Sequence, residues 1–220
     1  MSASVAPRSL QEYEFLNKIY IVTMRKRRRT KKAWGLRNES DEDEEDDSPG
    51  VSRWRNEISF YCSVSLKTVS DLMKEFRGCL DSGITDIKLR IHSCGGDAYA
   101  GLAAHDFLIG VQRGSHAVRL TTVAEGCCAS AATFLLIAGE RREVNVNAMV
   151  LIHQLRVGNY GYQKFSEQVE DLNANAKMME MLKKLYTSKT GIPAKKLDEL
   201  LSNEIWMNAD ECRKFSVATT

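Results

Sequence analysis

The sequence contains no long apolar segment and no cysteine-pairing motif. No window approaches the roughly 20 apolar residues of a membrane-spanning helix, and the first 20 residues lack the continuous apolar core of a secretory signal. The six cysteines show no CxxC spacing, which argues against a zinc site and against a disulfide framework. We therefore expect a soluble protein without metal, with reduced and mostly buried cysteines. A cytoplasmic, reducing compartment is the expected location, and an organelle or the nucleus is also compatible.

The composition is typical of a globular domain. Of the 220 residues, 43% are hydrophobic and 27% are charged, which is enough for one well-packed domain. The net charge of +2 conceals two opposite blocks, RKRRRTKK at 25–32 and DEDEEDD at 41–47. Like-charged runs resist burial, so a disordered, solvated insert is expected over about 25–50. It lies in an N-terminal segment, 1–55, that precedes the main domain, 56–220.

The basic block has two interpretations. It is either a nucleic-acid contact or nuclear address, or a solvated insert whose cations are partly neutralised by the acidic run. We favour the insert and expect no nucleic-acid partner. If the block did bind nucleic acid, deletion of 25–47 would abolish salt-sensitive binding.

Predicted strands and helices alternate along the chain. This order describes repeated βαβ units, hence an α/β fold with a mainly parallel sheet and sites at the strand-to-helix turns. The predicted strands are KIYIVT, EISFYCSV, TDIKLRIHS, AVRLTTVA and MVLIHQL, and the helices are SLKTVSDLMKEFRGCLDSG, DAYAGLAAHDFLIGVQRG, AATFLLIAG and AKKLDELLSN. A longer helix is predicted over 161–191, whose apolar stripe begins at Phe165 and reaches Tyr186 and indicates core packing or a partner helix.

Two glycine-containing turns and one histidine are the candidates for chemistry. In EGCCASAATFLLIAGE, Ser130 is predicted at the start of a buried helix, either as a nucleophile or as a helix N-cap. The HSCGGDAYAG turn offers bare backbone amides. His153 ends a strand beside the serine strand and is the predicted base. Structural roles are expected for the other histidines, which are His92, His105 and His116.

The segments SCGGDAYAGLAAHDFL, GCCASAATFLLIAG and LIHQ occur in an order and spacing that resemble the ClpP-type Clp protease family over roughly 56–217. The resemblance implies that Ser130 is the nucleophile and His153 the general base. It also implies that the amides of Gly96 and Ala131 form the oxyanion hole. Cys94 stands where the family has proline.

The resemblance further implies a ClpP/crotonase-like fold with a protruding helical handle, formed by 158–161 and the long helix. It implies stacked rings of identical subunits, an AAA+ unfoldase ATPase as partner and polypeptide substrates, with no cofactor. The expected function is therefore that of a serine endopeptidase, the proteolytic subunit of an ATP-dependent protease.

The third catalytic residue of the family is an aspartate, and an ungapped comparison places Leu200 at its position. Asp198 is the nearest aspartate and the tentative third residue, although two helical residues turn a side chain by about 200°. Glu199 and Glu204 are further options. A catalytically weak or inactive scaffold subunit of a mixed ring is therefore the main alternative, and an acyl-CoA enzyme of the crotonase fold is another.

Overall fold

The computed structural model describes residues 49–114, 117–158 and 162–220. Its strands are Gly50–Trp54 (β1), Glu57–Tyr61 (β2), Asp86–Ser93 (β3), Arg119–Ala129 (β4), Arg141–Val144 (β5), Met149–Leu151 (β6) and Trp206–Met207 (β7). Its helices are Leu66–Asp81 (α1), Ala98–Arg113 (α2), Ala132–Leu136 (α3), Phe165–Lys189 (α4), Ala194–Asn203 (α5) and Ala209–Lys214 (α6). The predicted strand KIYIVT, the charged blocks and His116 lie outside the described residues.

All seven strands belong to one mixed sheet with the order β1-β2-β3-β4-β6-β7, in which β5 also pairs with β4. The central pairs, β2–β3, β3–β4, β4–β5 and β4–β6, are parallel. The outer pairs, β1–β2 and β6–β7, are antiparallel. The predicted α/β class with a mainly parallel sheet is thus confirmed, including the parallel pairing of the serine strand with the histidine strand.

Strand β4 is longer than the sequence predicts. It was expected to end at residue 124, but it continues through the GCCA segment to Ala129 and changes neighbours on the way. Residues 121–124 pair with β5, whereas residues 127–129 pair with β6. Gly126 lies between these two parts and has a φ of +62°. The expected polar connection after α3 therefore contains a strand, β5, and the histidine strand is shorter than predicted.

The two helices that flank the first half of the sheet begin at side-chain caps. In α1, Ser65 and Thr68 form a reciprocal capping box, and Val69, Leu72 and Phe76 are buried on one face. In α2, the carboxylate of Asp97 accepts hydrogen bonds from the amides of Tyr99 and Ala100 in the first turn of the helix. Because Asp97 directly follows the two glycines, this cap holds the glycine turn at the start of α2.

Helix α4 has two different halves. Its C-terminal half is in the core, where Tyr186 is buried and its hydroxyl lies 2.6 Å from Thr133 Oγ1 of α3. Its N-terminal half leaves Phe165, Val169 and Leu172 substantially exposed, so the predicted core packing holds for only part of the stripe. At 25 residues α4 is the longest helix, yet no helix within the described ranges is long and apolar enough to cross a membrane.

Candidate active site

Ser130 occupies a sharp turn between β4 and α3. Its φ of +56° is in the left-handed region, which is uncommon for a residue with a side chain. The turn is held from both sides: the Ser130 N–H donates to the carbonyl of Leu151 in β6 at 2.9 Å, and its C=O accepts from the amide and hydroxyl of Thr133. A strained backbone that is fixed in this way is a feature of functional sites.

The alternative role for Ser130 as a helix cap is wrong. The residue at the N-cap position of α3 is Ala131, and no side chain in the described part of the chain caps this helix. The helix start is instead satisfied through the main-chain carbonyl of Ser130. The hydroxyl of Ser130 is therefore not needed for the helix, and the residue is only half-buried, so it is accessible from solvent.

The residues predicted as nucleophile, base and oxyanion-hole donors line one cleft of about 490 Å³. They come from the serine turn, the glycine turn and the chain after β6, and they are Ser130, His153, Gly96 and Ala131. The cleft also includes Asn175, Leu182 and Tyr186 of α4, which the sequence analysis did not associate with the site. No motif marks them, because they reach the cleft only through the packing of α4 against α3.

The glycine turn packs directly against the serine turn. Gly95 has a φ of +96°, and a Cβ at this position would lie 2.5 Å from Ser130 Cβ and 2.7 Å from the carbonyl oxygen of Ala129. Gly96 has a φ of +150°, and a Cβ there would overlap the carbonyl of Val64. Both positions therefore require glycine, for conformation and for space.

Two backbone amides beside Ser130 are available to a ligand. The N–H groups of Gly95, Asp97 and Ser130 are all used, by Ser93 Oγ, Val64 O and Leu151 O respectively. By contrast, the described residues provide no hydrogen-bond acceptor for the N–H of Gly96 or of Ala131. Unused amides that flank a hydroxyl in a cleft are suited to bind an oxygen that gains negative charge.

The environment of His153 favours a neutral imidazole with one defined tautomer. Burial lowers the pKa of His153 below its usual value; Arg156 lowers it further, whereas the bond to Gln154 and the charge of Glu204 oppose the shift. Nδ1 lies 2.5 Å from the carbonyl oxygen of Gln154, which can only accept, so Nδ1 carries the proton. Nε2 is then the unprotonated nitrogen and has no hydrogen-bond partner among the described residues. No hydrogen bond joins Ser130 Oγ to His153 in the part of the chain that the structure describes. Catalytic hydrogen bonds commonly tighten only when substrate binds.

The structure does not bring Asp198 to the cleft. This residue lies on α5 with a half-exposed side chain that pairs with Lys183 Nζ at 2.6 Å. Glu199 pairs with Lys196 on the same helix. Leu200, which occupies the position of the family aspartate in the ungapped comparison, is completely buried in the core.

Glu204 is the candidate carboxylate that acts on His153. It terminates α5 in the left-handed conformation, with a φ of +52°, and its Oε1 accepts from Arg156 Nη2 at 2.5 Å. The amide of Gln154 donates to the carbonyl of Leu201 at 2.9 Å, which places the end of α5 beside the histidine segment. This contact explains why the charge of Glu204 raises the pKa of His153.

The other described histidines have local partners. His105 is buried and its Nδ1 lies 2.8 Å from the carbonyl of Phe134. His92 Nδ1 lies 2.9 Å from the carbonyl of Glu125 and also contacts the amide of Cys127. Within 49–114, 117–158 and 162–220, no group of three or more His, Cys, Asp or Glu side chains is arranged to hold a metal ion.

Comparison with known proteins agrees with this arrangement. The family model described as Clp protease matches residues 55–219. ATP-dependent Clp protease proteolytic subunits of Oryza sativa subsp. indica and Triticum aestivum are each 30% identical to this chain over 142 residues. A subunit of the same name from Helianthus annuus is 28% identical over 140 residues, which is 63% of this chain and 68% of the relative.

The match to the rice and wheat proteins covers 63% of this chain and 62% of theirs, so this chain spans less than two thirds of their length. The family model extends further. It includes the glycine turn, the serine turn, the histidine segment and α4, which all contribute residues to the cleft. The mixed α/β sheet is consistent with the ClpP-type fold that the motifs implied. Motif order, cleft and family model thus agree, and the chain belongs to the Clp protease family.

Proposed function

We propose that this chain is a serine endopeptidase, the proteolytic subunit of a Clp-type ATP-dependent protease that hydrolyses unfolded polypeptides or peptides. The observation that carries the proposal is the turn at Ser130, where a strained, accessible serine lies between two amides that have no acceptor among the described residues. A half-buried histidine with a lowered pKa lines the same cleft. These groups are a nucleophile, an oxyanion-binding pair and a base, which are the parts needed for acyl transfer.

In the proposed reaction, Nε2 of His153 takes the proton of the Ser130 hydroxyl while Oγ attacks the peptide carbonyl. The carbonyl oxygen becomes an oxyanion and accepts hydrogen bonds from the amides of Gly96 and Ala131. The imidazolium then donates its proton to the leaving amine. Water attacks the resulting acyl-enzyme by the same route, with His153 again as base, and releases the second product.

The partner of His153 Nδ1 differs from that in a Ser-His-Asp triad, because it is a backbone carbonyl and not a carboxylate. We infer that the Gln154 carbonyl holds the ring in the described state and that Glu204, rather than Asp198, supplies the nearest carboxylate charge. A carbonyl fixes the tautomer, but it stabilises an imidazolium less than a carboxylate does. Substitution of the orienting carboxylate alone in a Ser-His-Asp triad lowers the turnover rate by about 10⁴-fold. Slow turnover with an intact nucleophile is therefore the expected behaviour.

The proposed partners are a second ring of identical subunits and an AAA+ unfoldase ATPase. The exposed side chains of Phe165, Val169 and Leu172 support pairing of the handle with another copy, because this half of α4 has an apolar surface without a core to cover it. The word ATP-dependent in the names of the relatives is the basis for the ATPase partner.

The test is covalent labelling of the full chain with a fluorophosphonate probe. We expect the wild type to be labelled, Ser130→Ala to be unlabelled and His153→Ala to react much more slowly. Ser82→Ala is the matched control, since Ser82 is an exposed serine whose hydroxyl only bonds the carbonyl of Gly78. A wild type that remains as unlabelled as Ser130→Ala would reject the enzyme and favour the scaffold subunit.

A further inference from the structure

Two cysteine thiols lie close together at the cleft. Cys94 Sγ and Cys127 Sγ are 3.6 Å apart. Ser93 of β3 is in register with Cys128 of β4. Cys94 directly follows Ser93 and Cys127 directly precedes Cys128, which brings the two thiols together. All six cysteines are free thiols, and the four others are buried. A disulfide has an S–S distance of about 2.05 Å, so this pair needs to close by only about 1.5 Å.

The two cysteines lie next to the two turns that build the cleft. Cys94 lines the cleft and directly precedes Gly95 and Gly96, whereas Cys127 comes three residues before Ser130. The space between the turns is already filled, as shown by the short distance from a Cβ at Gly95 to Ser130 Cβ. Any movement of Cys94 towards β4 is therefore transmitted to the amide of Gly96 and to Ser130.

We propose that Cys94 and Cys127 form a thiol–disulfide site in which a reversible disulfide joins the glycine turn to the serine turn and lowers the reactivity of Ser130. The formation of the disulfide is independent of the proposed function. Its effect on Ser130 rests on that function.

The oxidant is a small-molecule disulfide of the glutathione type. Cys94 is the exposed thiol, so its thiolate attacks the glutathione disulfide, forms a mixed disulfide and releases one glutathione thiolate, which takes up a proton. Cys127 then attacks Cys94 Sγ, forms the intramolecular disulfide and releases the second glutathione. Two protein thiols are oxidised and one glutathione disulfide is reduced to two thiols.

The two cysteines have different roles because of their surroundings. Burial, together with the neighbouring Cys94, raises the pKa of Cys127 to about 11. Cys127 is therefore almost entirely protonated near neutral pH and is a poor first nucleophile. Cys127 is suited to the second, intramolecular step, because its proximity to Cys94 compensates for the small fraction of Cys127 that is present as thiolate.

The first experiment incubates the full chain with glutathione buffers of increasing oxidised fraction, followed by alkylation and peptide mapping by mass spectrometry. The wild type should form a cross-link between the peptides that contain Cys94 and Cys127. Cys127→Ser should accumulate the mixed disulfide on Cys94, because it lacks the resolving thiol. Cys128→Ala is the matched control: Cys128 is adjacent and completely buried, so the cross-link should persist.

Two results would overturn the thiol pair. One is a wild type that carries only the glutathione mixed disulfide at Cys94, as in Cys127→Ser. The other is a cross-link that survives in Cys127→Ser and disappears in Cys128→Ala, which would assign the bond to another cysteine.

The second experiment measures fluorophosphonate labelling of Ser130 before and after oxidation. A displacement of about 1 Å at a catalytic turn can lower the reaction rate by about 10²-fold. We therefore expect the labelling rate to fall by about tenfold to a hundredfold on oxidation and to recover with a dithiol reductant. In Cys94→Ser, the labelling rate of Ser130 should be the same with and without oxidant. An unchanged rate in fully cross-linked wild type would remove the proposed link to the cleft. Absence of labelling in both redox states contradicts the peptidase, whereas the cross-link experiment still decides the thiol pair.

Discussion

At the scale of single residues, the position of Ser130 depends on a neighbour without a side chain. Gly95 combines a φ of +96° with direct contact to the serine turn. Gly95→Ala should destabilise the fold by at least about 1–2 kcal/mol, the cost of a left-handed backbone, and should slow fluorophosphonate labelling because the Ser130 side chain is displaced. Gly110→Ala is the control: its Cβ meets nothing within 4 Å, and it should stabilise α2 by up to about 1 kcal/mol. Equal thermal stability and labelling in the two variants would contradict the packing.

The charges around His153 predict opposite pH shifts for two substitutions. Glu204 raises and Arg156 lowers the pKa of this histidine. In the proposed reaction the neutral imidazole is the base, so we expect Ser130 to be labelled above this pKa and labelling to be lost as the pH falls through it. Glu204→Gln should therefore move the midpoint of the pH–labelling profile to lower pH, and Arg156→Gln should move it to higher pH.

The matched control for these substitutions is Asp198→Asn. Asp198 pairs with Lys183 outside the cleft, so its substitution should leave the midpoint unchanged. A shift in Asp198→Asn together with no shift in Glu204→Gln would return the role of third residue to Asp198.

At the scale of elements, α4 combines an anchor with a free surface. The anchor is Tyr186, and the direction of its hydrogen bond follows from donor counting: Thr133 has one hydroxyl proton, which it donates to the carbonyl of Ser130, so the Tyr186 hydroxyl donates to Thr133. The C-terminal half of the helix thus supports the serine turn from behind. The N-terminal half exposes the apolar side chains of Phe165, Val169 and Leu172.

This division predicts that assembly and folding can be separated. Phe165 is 82% exposed, so Phe165→Asp should leave the thermal stability of the subunit nearly unchanged. If subunits pair through the handle, the same substitution buries a charge in an apolar contact and should weaken that contact. The assembly should then have a lower mass, which light scattering measures. Gln168→Asp, which adds the same charge to a polar position of the first turns of α4, is the control. An identical mass for the wild type and Phe165→Asp would reject pairing through the handle.

At the scale of the whole molecule, Arg142 joins distant parts of the chain. It lies on β5 and is almost completely buried, and its guanidinium donates to the carbonyl of Lys189 at the end of α4 and to that of Ser216 near the C-terminus. Its own backbone carbonyl accepts from the amide of Thr219. Burial lowers the pKa of Arg142 below its usual value. One charged group therefore holds the end of α4 and the last residues against the sheet.

Arg142→Met should lower the free energy of unfolding by about 2–4 kcal/mol, because two carbonyls are left without a donor. Chemical denaturation would measure this loss. The control is Arg141→Met: Arg141 is the neighbouring residue, is 60% exposed and makes a surface ion pair with Glu143, which is worth at most about 1 kcal/mol. If the two variants were equally stable, the hydrogen bonds of Arg142 would not support the fold.

Several features could be predicted because they depend on local chemistry. Helices α1, α2 and α5 follow from apolar periodicity and from stop signals such as Gly83, and the predicted span AKKLDELLSN matches α5 residue for residue. By contrast, β5 was missed because its four residues, RREV, are polar and short. Only pairing with β4, together with burial of Arg142 and Val144, makes them a strand.

The sequence by itself determined the nucleophile, base and amide candidates, since a serine after small residues, a double glycine and a histidine at a strand end each have few chemical uses. Only the tertiary structure decided which carboxylate stands near His153. It pairs Asp198 with Lys183, buries Leu200 and places Glu204 beside the histidine segment. The physical reason is that orientation on a helix and the approach of its end to another strand depend on packing over the whole domain, whereas the chemistry of a side chain is fixed by its residue type.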